Sequence, residues 1–197
     1  MVRAVHGHIW KGRIEVMKKI FSLAFAFLIS LTTVAQRHES NQNSSVTFAI
    51  KNMGLTVEGS FRGLKGSIEF DPNELSSSRF NVVLNANTID TGIELRNKHL
   101  QKEEYLDVAN FAEIGFVSTK IETWAQSGKY KVTGKLTIKK VTKEVIFDFT
   151  VQKQNIGHLL KGEFSIDRRD YGVGGNSFSM ADDVRIFLSV KSTLDKT

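Results

Sequence analysis

The sequence of 197 residues contains no cysteine. The protein therefore has no disulfide bond, no thiol nucleophile, no cysteine-based zinc site and no cysteine to which a lipid anchor could be attached. Proline is nearly absent as well, because Pro72 is the only one. It lies in the segment Asp71–Asn73, which is predicted to end a strand, since proline cannot donate a hydrogen bond to a sheet.

The excess of basic charge is only apparent. The chain has 27 basic and 21 acidic residues, which gives a formal net charge of +6. Five of the basic residues and one acidic residue lie within residues 1–35, so the rest of the chain carries a charge of only +2. The sequence also shows no basic stripe with interleaved aromatic residues, and nucleic acid is therefore not an expected partner.

The N-terminal segment has the three parts of an export signal. Lys18–Lys19 is a short positive region, Ile20–Leu31 is an apolar run, and Thr33–Ala35 is a small-x-small cleavage site. The apolar run is shorter than the roughly 20 residues that span a bilayer. This favours a cleaved signal peptide over the alternative of an uncleaved anchor. We therefore expect residues 1–35 to be removed by cleavage after Ala35, and the protein to lie in the periplasm or to be secreted.

Three further boundaries follow from the sequence. Met17 directly precedes the positive region, so we expect translation to start there and residues 1–16 to be a mis-assigned extension. Residues 36–45 are polar and predict a mobile lead-in. The segment 46–194 is long enough for one domain with a sizeable core.

Most of this segment alternates between apolar and polar residues, which is the pattern of half-buried strands. Short turns separate the runs, and no strand–helix–strand alternation is present. The pattern predicts about eight antiparallel strands in a meander. Glycines interrupt several runs, and phenylalanine dominates the predicted inward face; the chain has 14 phenylalanines. Periodicity alone leaves a sandwich and a barrel equally open.

One segment, Asn87–Phe116, interrupts the alternation. Its apolar residues recur at helical spacing, which predicts a short helix near 92–107 that covers an open end of the sheet. Arg96 and His99 are three residues apart and would share one face of that helix. The apolar residues with helical spacing are Ile93, Leu95, Leu100 and Leu106.

Several polar groups are candidates for a catalytic or metal-binding role. Asp90–Gly92 matches the triplet of aspartic proteases, but with one copy the two facing carboxylates of such a protease would require a dimer built around it. We expect Asp90 and Thr91 to cap the helix instead. His158 is expected in a solvated turn, and Asp167–Asp170 in a solvated charged loop. The histidines lack metal-ligand spacing, no serine sits in a nucleophile elbow, and the sequence predicts neither a metal site nor a catalytic residue.

Four segments of the sequence, in order, carry recognisable motifs. They are Val46–Asn52 with Gly59–Phe61, Thr88–Gly92 with Arg96, His99–Leu100 and Tyr105–Asp107, Gly134–Lys143, and Gly162–Arg168 with Asp170–Gly172. In these segments the sequence resembles the YceI-like family of bacterial periplasmic proteins. The resemblance runs from about Val46 to Val190, and it departs from the family pattern at Asn97, Ala112 and Lys140, where Asp, Pro and Gly are usual.

The resemblance implies a lipocalin-like, up-and-down barrel of eight antiparallel strands that holds a polyisoprenoid chain. It also implies a homodimer. The bound molecule would be a quinone or a prenyl phosphate, and no other cofactor is expected. The residues predicted to line the apolar tunnel are Phe48, Ile50, Phe61, Ile68, Phe70, Val82, Leu84, Ile114, Phe116, Leu136, Phe147, Phe149, Phe164 and Ile186.

Arg96 and His99 are the residues predicted to meet a polar head group, because Arg is suited to phosphate. The alternative is structural: the pair would bind Asp107 or Asp90 and hold the insertion against the rim. For the whole protein, the leading hypothesis is a non-enzymatic carrier of a long apolar isoprenoid. The alternative is an enzyme or stress factor that acts on a small amphiphile with His99 as the acid–base group.

Overall fold

The computed structural model describes residues 44–124 and 128–192. The predicted signal peptide and the predicted start at Met17 lie outside these residues. So does nearly all of the lead-in. Nine strands and one α-helix are described, so the barrel has nine strands rather than the expected eight. The strands are β1 (Ser45–Asn52), β2 (Leu55–Phe61), β3 (Lys65–Glu69), β4 (Arg79–Asn85), β5 (Glu113–Thr123), β6 (Lys129–Ile138), β7 (Val141–Lys153), β8 (His158–Asp167) and β9 (Met180–Lys191).

The helices are short. The helix α1 spans Glu94–Leu100, which is less than half of the predicted segment 92–107, and turns follow it up to the start of β5. Three 3₁₀ helices lie at Leu75–Ser77, Ala86–Thr88 and Arg168–Tyr171. None of the helices in the described ranges is both long enough and apolar enough to cross a bilayer.

All nine strands form one antiparallel sheet in the order β2-β1-β9-β8-β7-β6-β5-β4-β3. Every neighbouring pair except β1 and β9 is also consecutive in the chain, which is the predicted meander. The sheet curls, since inward-facing residues from all nine strands line a single cavity. The prediction of an antiparallel barrel with one helical insertion is therefore confirmed. The sheet forms a barrel and not a sandwich.

The barrel is closed at its seam by the helical insertion rather than by a strand ladder. In the described sheet, β2 and β3 are the two edges and do not pair. Ser60 on β2 exchanges two backbone hydrogen bonds of 2.8 and 2.9 Å with Asp90. Next to it, the Thr88 hydroxyl accepts from the backbone N–H of Arg62 and donates to its carbonyl, both at 3.0 Å. These bonds satisfy backbone groups that an open edge would expose.

One end of the barrel is filled by a cluster of aromatic side chains. Phe70 packs against Tyr130, Phe149 and His158 with ring centroids 4.9, 5.8 and 5.7 Å apart. His158 is 7% exposed, so the expectation of a solvated turn was wrong. His158 begins β8, and its backbone is fixed by hydrogen bonds of 2.8 Å to the backbone and hydroxyl of Ser192. The segment Gln154–Gly157 before it forms the exposed turn instead.

The expected solvated charged loop at Asp167–Asp170 was also wrong at one position. Arg168 is only 3% exposed. Its guanidinium donates to four backbone carbonyls and to the Asp182 carboxylate, at distances from 2.7 to 3.3 Å. Its neighbour Arg169 is exposed and pairs with Asp167 and Asp182. Arg168 thus ties the loop after β8 to the start of β9, because a buried guanidinium must use all its donors.

Candidate functional site: an apolar tunnel with a polar mouth

The barrel encloses a cavity of about 270 Å³. It follows the strands, since inward residues of β8 line it from Leu160 to Ile166 and those of β9 from Val184 to Val190. Six residues of strand correspond to roughly 20 Å, so the cavity is a tunnel and not a round chamber. Its wall is almost entirely apolar. The aromatic cluster around Phe70 fills the end at which β8 begins, and the helix α1 covers the other end.

Thirteen of the fourteen predicted tunnel residues lie on this wall. Phe70 is the exception, because it lies below the tunnel in the aromatic cluster and is 4% exposed. It is a core residue and closes the tunnel instead of lining it. Whether the thirteen contact a ligand stays a prediction.

Two glycines let aromatic rings lie flat against the wall. The Phe48 ring occupies the space beside Gly59 on the paired strand, where an added Cβ would lie 2.3 Å from the ring. The Phe116 ring sits on Gly134 in the same way, at 2.4 Å. Elsewhere on the wall, Phe147 and Phe164 stack with centroids 4.4 Å apart. The glycines therefore widen the tunnel, because any larger residue would push these rings towards its axis.

Gly59→Ala should weaken lipid loading. The added methyl group must displace the Phe48 ring, and overpacking of this kind costs roughly 1–3 kcal/mol. Gly115→Ala is the matched control, since Gly115 is likewise a strand glycine but the nearest atom to an added Cβ is 3.9 Å away. The measurement is lipid occupancy by native mass spectrometry together with thermal melting. Equal loading of the two variants would contradict the proposed role of Gly59.

A network of polar side chains forms the tunnel end beneath α1. Arg96 lines the tunnel and is half-buried. It donates through Nε to the Thr91 hydroxyl at 2.8 Å and through Nη2 to the Thr91 carbonyl at 2.6 Å. Asn97 Oδ1 accepts from the Thr91 backbone N–H at 2.9 Å and from its hydroxyl at 2.6 Å. Thr91 thus links two residues of the helix to the segment that closes the seam.

The alternative prediction, that Arg96 binds Asp107 or Asp90, was wrong. Asp90 instead receives the Gly92 backbone N–H at 2.9 Å, Asn97 Nδ2 at 3.4 Å and Arg62 Nη2 at 3.0 Å. Asp107 receives a hydrogen bond from Asn110. In the part of the chain that the structure describes, no carboxylate pairs with Arg96.

The expectation that Asp90 and Thr91 cap α1 was also wrong. The residue at the cap position is Ile93, whose side chain makes no capping hydrogen bond. The Asp90 carboxylate instead accepts a hydrogen bond from the backbone of its own turn, which is a common alternative for aspartate. Thr91 forms hydrogen bonds with Asn97 and Arg96. The amide of Asn97 can donate to Asp90 while its oxygen accepts from Thr91, which a carboxylate could not do.

The pKa of Asp90 is held below its ordinary value of 3.8, first by the backbone N–H of Gly92 and then by the Asn97 amide. A depressed pKa contributes stability that is present above pH 3.8 and is lost as the pH falls through the folded-state pKa. The free energy of unfolding of Asp90→Asn should therefore be lower than that of the wild type at neutral pH. This difference should close below pH 3.8 in acid titrations. A difference that stays constant with pH would contradict this role for the carboxylate.

His99 lies apart from the tunnel. Its side chain is exposed, and its ring contacts Tyr105 with centroids 4.9 Å apart. Arg96 and His99 do not share one face towards the cavity, because only Arg96 is among the lining residues. Within the described ranges, His, Asp and Glu side chains also form no group of three that could hold a metal ion.

A family model described as the YceI-like domain matches residues 39–192 of the sequence. The chain belongs to the YceI-like family. Protein YceI of Salmonella agona is 27% identical over 191 residues, which are 91% of this chain and 99% of that protein. The resemblance seen in the motifs is therefore confirmed.

Solved structures of similar proteins share the fold. BcnA of Burkholderia cenocepacia is 27% identical, with a TM-score of 0.72 over 76% of this chain and 96% of that chain. A second structure, from Saccharophagus degradans, is described as a polyisoprenoid binding domain implicated in plant cell wall breakdown. It is 14% identical, with a TM-score of 0.63 over 79% of this chain and 97% of that chain, and at this identity it shows the fold alone.

Sequence reasoning missed part of the wall of this YceI-like barrel. Val184, Leu188 and Val190 line it on the same period as Ile186, so strict alternation along β9 would have included them. Tyr105, Leu106, Tyr171 and Val173 come from turns and a 3₁₀ helix, where no periodic signal exists. The further lining residues among the apolar ones include Val46, Val57, Leu64, Phe80, Val83, Ile89, Leu100, Ile138, Leu160, Ile166 and Met180.

Proposed function

We propose that this protein binds one isoprenoid lipid in its tunnel and carries or sequesters it without changing it chemically. The observation that supports the proposal most is the tunnel itself, which is elongated and apolar and is lined by all nine strands. Each CH₂ group transferred from water into such a wall contributes about 0.8 kcal/mol. A prenyl chain therefore needs few polar contacts to bind tightly.

Two further observations support this role. The similar domain from Saccharophagus degradans is described as polyisoprenoid binding, and the family model covers almost all of the described chain. We also propose that the protein acts in the periplasm, because residues 18–35 have the pattern of a cleaved export signal. Binding without chemistry requires no catalytic group, and His99, the candidate acid–base group, is exposed to solvent.

Titration of delipidated protein with geranylgeraniol tests the proposal. Native mass spectrometry should show saturable binding of one prenol per chain. An unbranched alcohol of similar length is the matched ligand, and we expect it to bind less tightly, because it lacks the methyl branches that fill the spaces between the phenylalanine rings. If folded protein fails to bind the prenol at saturating concentration, the proposed function is wrong.

A further inference from the structure

Among the residues that the structure describes, one cationic side chain in the tunnel keeps a charge that is not neutralised. In these residues, two charged side chains line the tunnel, Arg96 and Arg168. Arg168 is neutralised by Asp182 at 3.0 Å and is saturated by four backbone carbonyls. Arg96, by contrast, binds only the neutral Thr91, and it pairs with no carboxylate of the described chain.

The network around Arg96 orients it without neutralising it. The bonds from Nε and Nη2 to Thr91 fix the plane of the guanidinium, and Asn97 fixes Thr91 in turn. The third nitrogen, Nη1, makes no hydrogen bond to the described chain. The two acidic residues that precede Arg96 most closely in the sequence are engaged elsewhere. Glu94 pairs with Lys98 at 2.8 Å, and Asp90 directs its carboxylate towards Arg62 and Gly92. The guanidinium of Arg96 is thus held rigidly, while its Nη1 is free to donate and its positive charge is not neutralised.

A half-buried cation without a counter-ion is unfavourable in the protein alone, since part of its hydration is lost and nothing replaces it. An unfavourable charge of this kind is expected at a functional site, where a bound ligand supplies the missing counter-ion. The group that completes it has to be an anion. A charge-assisted hydrogen bond is about twice as strong as a neutral one, so an alcohol or a quinone oxygen would gain much less from Arg96.

We propose that the tunnel selects isoprenoids that carry an anionic head group of the phosphate class, and that Arg96 is the residue that binds this group. The inference rests on the proposed function, because it names the ligand class of the same tunnel. The prenyl chain would run along the barrel towards the aromatic cluster, and the head group would remain beneath α1 beside Nη1 of Arg96. Quinones and free prenols would then be weaker ligands.

The test compares geranylgeranyl monophosphate with geranylgeraniol, which share one prenyl chain. We expect the wild type to bind the phosphate about tenfold more tightly, and this preference to fall as salt screens the charge at the mouth. Arg96→Gln should abolish the preference, so that the phosphate binds no more tightly than the alcohol. Lys98→Gln, which removes an exposed charge from the same helix, should retain the preference.

Each outcome decides between the two proposals. If the wild type binds both ligands equally, the anionic selectivity is refuted and the carrier function stands. If it binds neither, both proposals fail. Arg96→Lys guards against a folding defect, because it keeps the charge and should retain a measurable preference. If the preference disappears in Lys98→Gln as well, general surface charge and not Arg96 is responsible, and the assignment of the site is wrong.

Discussion

Ile186→Trp should abolish lipid loading while the barrel stays folded. Ile186 lies midway along β9 and faces the tunnel, where it pairs in register with Phe48 and Phe164 on the neighbouring strands. An indole at this position would displace about one isoprene unit of a bound chain. Since five carbon atoms correspond to about 4 kcal/mol of burial, the affinity should fall roughly a thousandfold.

The matched control for this variant is the next residue of the same strand. Phe187 faces away from the tunnel and lies under the Arg185 guanidinium, 5.1 Å from its ring centre. Phe187→Trp should therefore load lipid like the wild type. The melting temperature of delipidated Ile186→Trp should equal or exceed that of the wild type, because the indole fills existing space. Full loading of a folded Ile186→Trp would mean that the lipid does not pass this point of the barrel.

Arg168→Met should have the largest effect on stability. The substitution removes the hydrogen bonds that the guanidinium donates to four backbone carbonyls in the loop and at the start of β9, and it leaves the Asp182 carboxylate, which is 38% exposed, paired with Arg169. Hydrogen bonds to a charged group contribute roughly 1.5–3 kcal/mol each, so the loss of several should lower the free energy of unfolding by a few kcal/mol. Urea unfolding measures this loss directly as a reduced midpoint with an unchanged slope.

Arg169→Met is the control for this effect. Its side chain is 46% exposed, and its ion pairs with Asp167 and Asp182 lie at the surface. Such pairs contribute about 0–1 kcal/mol. The two adjacent arginines should therefore differ by several-fold in their effect on the free energy of unfolding. Similar losses for both variants would show that Arg168 does not hold the loop in the way its hydrogen bonds indicate.

The different positions of these two arginines show what the sequence could not predict. Strand positions followed from alternation, and Phe48, Phe116 and Ile186 were placed correctly on the inner face because a strand has a period of two. Arg168 and Arg169 belong to a 3₁₀ turn with no such period. Only the path of the chain from Val173 to Asp182, which no local pattern specifies, decides which guanidinium is surrounded by carbonyls.

Phe70 and His158 illustrate a second limit. Phe70 lies two residues after Ile68 on the same alternating pattern, so both were predicted to line the tunnel. Whether a residue lines the tunnel or closes its end depends on where the barrel closes. That position is set by the stagger of all the strands and not by one strand alone. His158 was expected in solvent because Gly157 precedes it. The structure instead places it at the first position of β8, beneath Phe70.

The polar mouth was predicted in part. Arg96 was singled out from its residue type and from the family resemblance, and the structure places it at the tunnel. Its partner Thr91 was assigned to a helix cap, because Thr and Asp before a helix commonly have that role. Hydrogen bonds between side chains six residues apart, such as Thr91 with Asn97, have no sequence signature. His99 lies three residues after Arg96 in α1, but its exposed ring contacts Tyr105 and does not line the tunnel.

Native mass spectrometry of protein purified from its own host shows whether the tunnel holds an isoprenoid lipid in the cell. We expect an added mass of one isoprenoid lipid per chain, which solvent extraction releases and identifies. Host-purified Ile186→Trp, measured in parallel, should lack this mass. An unmodified chain mass in the wild type, or a bound molecule with no isoprenoid chain, would contradict the proposed function.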